Sequence, residues 1–370
     1  MTTTPTSILN STAVQRAARN RSYRYLLTLV GPAFGLVGLL GHGPWCWLFP
    51  LYGFAVVPIA DLLLPQSHDR FSKEEEEAAL NEPLFDWIVY AIVPIQWGLL
   101  VLFFFTIGET GLTNWEIAGR IATMGLLCGV YGINVAHELG HRSKRWERDL
   151  SRALLLTSLY MHFIIEHNRG HHRHVATRQD PASARRGEPL YFFWVRTIIY
   201  SWFSAWHLER ERLAKAGRSV WNMENEMLRF VFLQTALCAT VLFVFGWFTL
   251  VSFLLAAAIG VLLLETVNYI EHYGLQRVQR ADGTFGRVHH VHSWNNDHPM
   301  GRLMLFELTR HSDHHHKASK KYQTLEGLED GAQLPTGYPG MMILSLLPPV
   351  WFRIMHPRVD ALKDKHAELA

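Results

Sequence analysis

The stretch "LFDWIVYAIVPIQWGLLVLFFFTIG", residues 84–108, decides the fold. It carries one carboxylate, Asp86, and no lysine, arginine or histidine. A helix needs ~20 apolar residues to cross the ~30 Å hydrocarbon layer of a bilayer, and this run is long enough. The connector "GETGLTN" (108–114) leads into a second run at 115–136, which ends on "HELGH", residues 137–141. Further apolar runs lie at about 23–41, 45–64, 226–247 and 249–271. "GHGP" and "GWFTL" divide them into pairs that read as tight helical hairpins. In a chain of 370 residues, 49% hydrophobic, this pattern predicts an all-α, polytopic membrane protein with six transmembrane helices.

The thirteen tryptophans support that reading, since Trp45, Trp47, Trp87, Trp115 and Trp247 stand near the ends of runs, where interfacial aromatic belts form. The first run is too long for a signal peptide and is followed by "HGPWCW" rather than a small-x-small cleavage site. Segments 151–165 and 191–206 are shorter or interrupted by charge, and read as helices at the interface or under the bundle. The acidic run "SKEEEEAALNEP" (72–83) reads as a solvated loop and helix start. Lys and Arg are missing from the three short connectors but abundant in the N-terminal tail (Arg16, Arg19, Arg21, Arg24) and in "HRSKRWER" after the fourth run. The positive-inside rule then puts both termini in the cytoplasm of a plasma-membrane protein. The expected organisation is a tail (1–22), helices one to four (23–136), a histidine-rich segment (137–225), helices five and six (226–271), and a second histidine-rich segment (272–370). The two polar segments form a cytoplasmic helical cap.

Ten of the twenty-one histidines fall in three clusters. "HELGH" spaces His137 and His141 four apart, on one helix face. "EHNRGHH" repeats the spacing with His167 and His171, and adds His172. "RHSDHHH" supplies His311, His314 and His315, and "NYIEHYG" places His272 at the end of the sixth run. These nine imidazoles are too many for one first-row ion, which takes roughly four to six ligands. Two ions at four or five nitrogens each would use them all. Taken alone, "HExxH" also marks zinc peptidases, but a single zinc would strand most of the others. Glu138, Glu166, Glu271 and Asp313 each adjoin a histidine box and are expected to orient imidazoles by accepting their second N–H. Glu265 and Asn268 share a helix face with His272 and should meet the site or a polar partner. His174 and His316 border ligand boxes, and His162 reads as a hydrogen-bonded packing residue. His289, His290, His292 and His298 surround "VHSWNNDHP", a loop placed beneath the site. His42, His68, His207, His356 and His366 read as exposed. Cys46, Cys128 and Cys238 stand apart in apolar runs, which excludes a cysteine-held metal cluster within the chain.

With "HELGH", "EHNRGHHRHVATRQDPASAR", "NYIEHYGL" and "LTRHSDHHHKASKKYQ", the chain resembles the membrane-bound non-haem di-iron alkane monooxygenases, within the wider group of histidine-rich membrane desaturases and hydroxylases. The resemblance runs from the first span to the last box. Thr309 departs from a common glutamine, and His316 from a common small residue. The resemblance implies that the nine histidines bind two iron ions, that O2 is co-substrate, and that linear alkanes are oxidised to 1-alkanols. It also implies that rubredoxin, with its reductase, supplies electrons.

No dinucleotide fingerprint or haem motif offers an internal electron source, so the carrier must dock from outside. Arg142, Lys144, Arg145, Arg148, Lys317, Lys320 and Lys321 offer an acidic carrier a basic face, while membrane lipid is an alternative partner for it. Ile133, one turn above His137, is a candidate for a substrate channel, with ordinary helix packing as the alternative. A related hydroxylase or desaturase acting on an alkylaromatic or acyl chain uses the same boxes. A divalent-metal transporter would instead need polar ligands in mid-membrane, which are scarce. No nucleic-acid partner is indicated, and a homo-oligomer is compatible with the pattern.

Overall fold

The computed structural model describes residues 5–68, 70–328 and 330–365, with side chains from residue 12 onward. His366 and the last residues of the C-terminal segment lie outside the described residues. Among the described residues, five helices are long and apolar enough to cross a membrane. They are α1 (Thr12–Leu40), α2 (Gly43–Leu63), α3 (Pro83–Thr106), α4 (Asn114–Gly140) and a last one, Glu226–His272. Between α4 and that last helix come α5 (Arg145–Thr157) and α6 (Leu190–Lys215), so Glu226–His272 is α7.

Local chemistry sets the starts. Pro83 occupies the first turn of α3, where its missing N–H costs nothing. Thr113 and Glu116 close a capping box on α4. Ser72 and Glu75 do the same for the short helix Lys73–Asn81, in the acidic run expected to start one. The 47 residues of α7 are more than twice what a bilayer needs, and the backbone leaves helical geometry at Gly246 (φ 85°, ψ 173°). Glycine alone adopts that conformation without steric cost. The runs expected at 226–247 and 249–271 are thus the two limbs of one broken helix, and the six expected helices appear as five.

The tight turns gather at one end of the bundle. Arg120 of α4 donates to the Gly41 carbonyl and to Glu109, both at 3.0 Å. Gly108 faces Thr249, just past the Gly246 break. The histidine boxes lie at the opposite end. There α5 follows α4 directly, and α6 buries Leu190, Phe193, Thr197, Ser201, Ala205, Glu209 and Leu213 at helical spacing. Its other face exposes Phe192, Val195, Tyr200 and Phe203, which suits a helix against the membrane interface.

Residues 289–338 form a mostly irregular lid with two short parallel strands, Trp294–Asn295 and Ala332–Gln333. Two buried polar groups fix it. Asp61 of α2 accepts from the Met300 and Gly301 N–H groups, and Arg310 pairs with Asp297 and donates to the Leu325 carbonyl. The loop "VHSWNNDHP" is tied to the last histidine box: Asn295 accepts from Ser312 N at 2.8 Å, Asn296 N donates to the Thr309 carbonyl, and the Thr309 hydroxyl donates to the Asn296 carbonyl.

α4 and the second limb of α7 touch through small residues. A Cβ on Gly260 would stand 2.7 Å from Cys128 Cβ and 3.1 Å from the Gly129 nitrogen. Apolar lipid gives helices little reason to associate, so close backbone approach at small residues supplies the contact. Gly260→Ala should therefore destabilise the purified protein by ~1–3 kcal/mol, the cost of overpacking. Gly98→Ala, with nothing within 4 Å of its added carbon, should be neutral or slightly stabilising. Thermal denaturation in detergent checks the pair, and equal midpoints would contradict this account of the contact.

Candidate metal centre

Four separated segments deliver the nine expected histidines to one place. His137 lies in the last turn of α4 and His141 caps it. Residues 163–174 form a short helix with a widened π turn at His167–His171. His272 ends α7, and His311–His316 is a short helix of its own.

The rings sort into two groups, and the boxes do not map onto them one to one. His137, His141, His167, His172 and His314 form the first, and His171, His272, His311 and His315 the second. Although His167 and His171 are four apart, their rings stack at 5.1 Å and their Nε2 atoms serve different groups. In the first group Nε2 atoms meet at 3.1 Å (His137–His314, His141–His167, His167–His172) and 3.2 Å (His172–His314). In the second they meet at 3.2 Å (His171–His315, His272–His311) and 2.9 Å (His311–His315).

These spacings fit a bound cation. Imidazole nitrogens held at ~2.1 Å from one ion, at right angles to each other, lie ~3.0 Å apart. Protonation states agree. Burial, reinforced by neighbouring imidazoles, holds His167, His172, His311, His314 and His315 well below the ordinary histidine range, and His141 falls to about 3. The rings are neutral at pH 7, with lone pairs free to ligate. His171 differs. Burial alone would lower it, but Asp180, 2.9 Å from its Nδ1, carries it upward.

Asp180 is the orienting carboxylate that the sequence did not single out, although it lies inside the second box. The Ser183 hydroxyl and the Ala182 N–H hold it in turn. Two expected orienters go elsewhere. Glu138 pairs with Arg142 at 2.7 Å, and Asp313 with Lys320 at 2.8 Å, since a cation stands within reach of each. Glu166 is buried, and among the described residues its one hydrogen-bond partner is Ser204, at 3.4 Å. Burial, and then Asp180, raises it above the usual carboxylate range. Glu271 accepts from the Tyr338 hydroxyl, and its other oxygen lies 3.2 Å from His311 Nε2, on the converging side of the ring rather than behind it. Glu265 meets polar partners as expected: Tyr160, Thr197 and Asn268 all donate to it.

The remaining histidines stand apart. His174 and His316 join neither group. His162 is buried between Tyr160 and Trp202, but both its ring nitrogens lack a partner, so it packs without the expected hydrogen bond. His292 offers its carbonyl to His272 Nδ1 at 3.4 Å. His356 is only half-exposed and accepts from Tyr273, while His68 pairs with Asp297.

An apolar cavity meets the groups at His137, His167 and His311. It runs between α2, α4 and the second limb of α7, past Phe49, Leu126, Val130, Leu263, Val267 and Met304. Ile133 is buried in the core and does not line it; α4 presents Leu126, Gly129, Val130 and Asn134 instead. The few polar lining groups are largely committed, since Asn134 donates to the Leu305 carbonyl and Asn268 to Glu265. The basic face is smaller than the sequence suggested. Arg142 is buried against Asp86 and Glu138, and Lys320 and Lys321 pair with Asp313 and Asp86. Lys144, Arg145 and Lys317 stay exposed, as do Arg173 and Arg178 in the second box.

Comparison with known proteins places this geometry. The fatty acid desaturase family model matches residues 113–344. An alkane 1-monooxygenase of Ectopseudomonas oleovorans is 35% identical over 345 residues, covering 92% of this chain and 86% of that protein. Alkane 1-monooxygenase 1 of Pseudomonas aeruginosa is 38% identical over 324 residues, with 86% and 84% covered. The xylene/toluene monooxygenase hydroxylase component of Pseudomonas putida is 30% identical over 343 residues, with 90% and 87% covered.

If Asp180 fixes the tautomer of His171, Asp180→Asn should weaken metal binding at the four-histidine group ~10–100-fold. Asp313→Asn, which touches no imidazole nitrogen, should leave metal content unchanged. Elemental analysis after dialysis against a chelator distinguishes them, and equal losses would contradict the orienting role.

Proposed function

The chain belongs to the alkane 1-monooxygenase family, within the fatty acid desaturase superfamily, and from that premise we propose that it is an integral-membrane di-iron enzyme hydroxylating the terminal carbon of linear alkanes. The overall reaction takes O2, two electrons and two protons, and places one oxygen in a 1-alkanol and the other in water. His137, His141, His167, His172 and His314 would hold one iron, and His171, His272, His311 and His315 the other. Once bound, the two irons supply the redox activation of dioxygen that an unpolarised C–H bond requires.

The observation that carries this reading is the apolar cavity leading to both histidine groups. Its walls bind a hydrocarbon by burial alone, worth ~25 cal/mol per Å² of apolar surface. Away from the histidine groups, its two amide side chains, Asn134 and Asn268, are occupied by protein partners, which favours an alkane over an acyl thioester with its polar headgroup. Asp180 keeps His171 in one tautomer, and the apolar walls disfavour water at the reacting end. A second reading, oxidation of an alkylaromatic methyl group, is supported by the likeness to the xylene/toluene monooxygenase component. The bundle sits in the plasma membrane with both termini and the histidine end cytoplasmic, and crosses six times if each limb of α7 spans. The segments 137–225 and 272–370 form its cap. Rubredoxin would deliver electrons beside His141 and His172, which are less fully buried than the other seven and lie near exposed Lys144, Arg145, Arg173 and Lys317.

The test is NADH-driven turnover of a medium-chain alkane with rubredoxin and its reductase. It should give a primary alcohol, with iron at two per chain, one for each histidine group. Alkylbenzenes oxidised far faster would favour the second reading, and an inactive protein loaded with iron would overturn both.

The cavity also predicts chain-length selection. Leu126 lies eleven residues before His137 on α4, ~16 Å along the helix. Leu126→Trp should block the far end, so that longer alkanes are lost and shorter ones retained. Gas chromatography of the alcohols reads this, and an unchanged product profile would remove Leu126 from the substrate path.

A further inference from the structure

A second groove lies where α5 crosses the first turns of α7, and nothing in the oxygenase reading uses it. We propose that it is a binding site for one anionic phospholipid of the surrounding bilayer. The inference rests on the membrane reading of the chain and not on the reaction.

The groove is amphipathic in the way an interfacial lipid is. Its wall is apolar, built from Leu156 of α5 and from Phe230 and Leu233 of α7, a helix that enters the membrane here. Its rim is basic. Arg145, Arg148 and Arg152 recur at three- and four-residue spacing on one face of α5, and Arg229 joins them from α7. Trp146, exposed and packed edge-on against Tyr90 at 4.9 Å, marks this level as the interface.

The rim has more positive charge than its own acids satisfy. Only Asp149 and Glu226 face the four arginines. Arg145 reaches Asp149 at 4.0 Å and Arg229 reaches Glu226 at 3.8 Å, both long for charge-assisted bonds. The Nε atoms of Arg152 and Arg229 are buried without a hydrogen-bond partner. Glu226 is drawn away as well, since its second oxygen accepts from Arg169 at 2.8 Å. A phosphodiester offers two anionic oxygens to guanidinium donors of this kind, and its acyl chains would follow the apolar wall. A zwitterionic headgroup would bring an ammonium into the same positive rim.

The site connects to the metal centre. Arg152 donates to one oxygen of Glu226 at 2.6 Å and Arg169 to the other, and Arg169 stands between His167 and His171. A lipid phosphate held by Arg152 therefore braces the second histidine box through Glu226.

The test uses full-length protein in detergent, titrated with phosphatidylglycerol or phosphatidylcholine and observed by native mass spectrometry. Phosphatidylglycerol should saturate at one tightly held molecule and be preferred over phosphatidylcholine. Arg145→Gln with Arg229→Gln, which spares the Arg152–Glu226–Arg169 chain, should reduce that preference roughly 30-fold for two charges lost. Equal retention of the two lipids by the wild-type protein would overturn the proposal even if the variant fails to fold, as would a folded variant that keeps the wild-type preference. Phosphatidylglycerol should also slow amide exchange across residues 163–174, and unchanged exchange there would overturn the bracing.

Discussion

Imidazole nitrogens pressed to 2.9–3.2 Å of one another, in two buried groups, are the contact on which the rest of this structure depends. Crowded buried nitrogens are costly unless something satisfies them together. Holding them therefore needs walls that do not give. The Gly129–Gly260 contact brings α4 against α7, so that His137 and His272 end near each other. Asp61 and Arg310 pin the irregular lid, and Asn295 and Asn296 hold the backbone next to His311. Asp61 and Arg310 are buried polar groups that hold several partners each, and in a low-dielectric interior such networks rigidify what they hold.

Charge makes the same demand from outside the ligand set. Glu166, Asp180, Glu265 and Glu271 are buried around the histidines, and among the described residues none forms an ion pair with lysine or arginine. Elsewhere the fold treats buried acids differently: Glu307 takes Arg302, Asp297 takes Arg310, and Glu209 takes Arg212. Four buried carboxylates without cationic partners would offset positive charge on the two ions proposed for the histidine groups. All-imidazole ligation would leave such ions highly charged, and carboxylates around the ligand set would return the site toward neutrality. The chain thus separates two tasks that a carboxylate-ligated site combines.

The sequence revealed much of this because helical spacing is a local property. Residues 84–108 and 115–136 read directly as helices, and i,i+4 histidines signalled ligand pairs. What it hid was set by tertiary contact. The π turn at His167–His171 sends two equally spaced rings to different groups, and no spacing rule announces a widened turn. Asp180 reaches His171 only because the chain turns between His174 and Asp180, so adjacency pointed instead to Glu138 and Asp313, which found cations of their own. The Gly246 break marked by "GWFTL" was legible as a turn, but not as an interruption of one continuous helix. Arg142 and Lys321 looked like free surface charge because their shared partner Asp86 lies far away in sequence, and Lys320 because Asp313 was expected to face an imidazole.

The cavity and the metal centre are products of the same two helices, and this bears on how a molecule without polar groups can be oxidised at its end. On α4, Leu126, Val130, Asn134 and His137 form one stripe at helical spacing; on α7, Leu263, Val267 and Glu271 form another. Both stripes change from apolar to ligating as they approach the same end of the bundle. A hydrocarbon gains burial energy anywhere along the apolar part, so no single contact can set its register. Register must come from the shape of the tube and from the cost of placing apolar surface among buried carboxylates and imidazoles. Under that constraint the narrowest part of the substrate, its terminal methyl, is what fits closest to the polar end. Selectivity for the end carbon then follows from the same change in polarity along each helix that places the ligands.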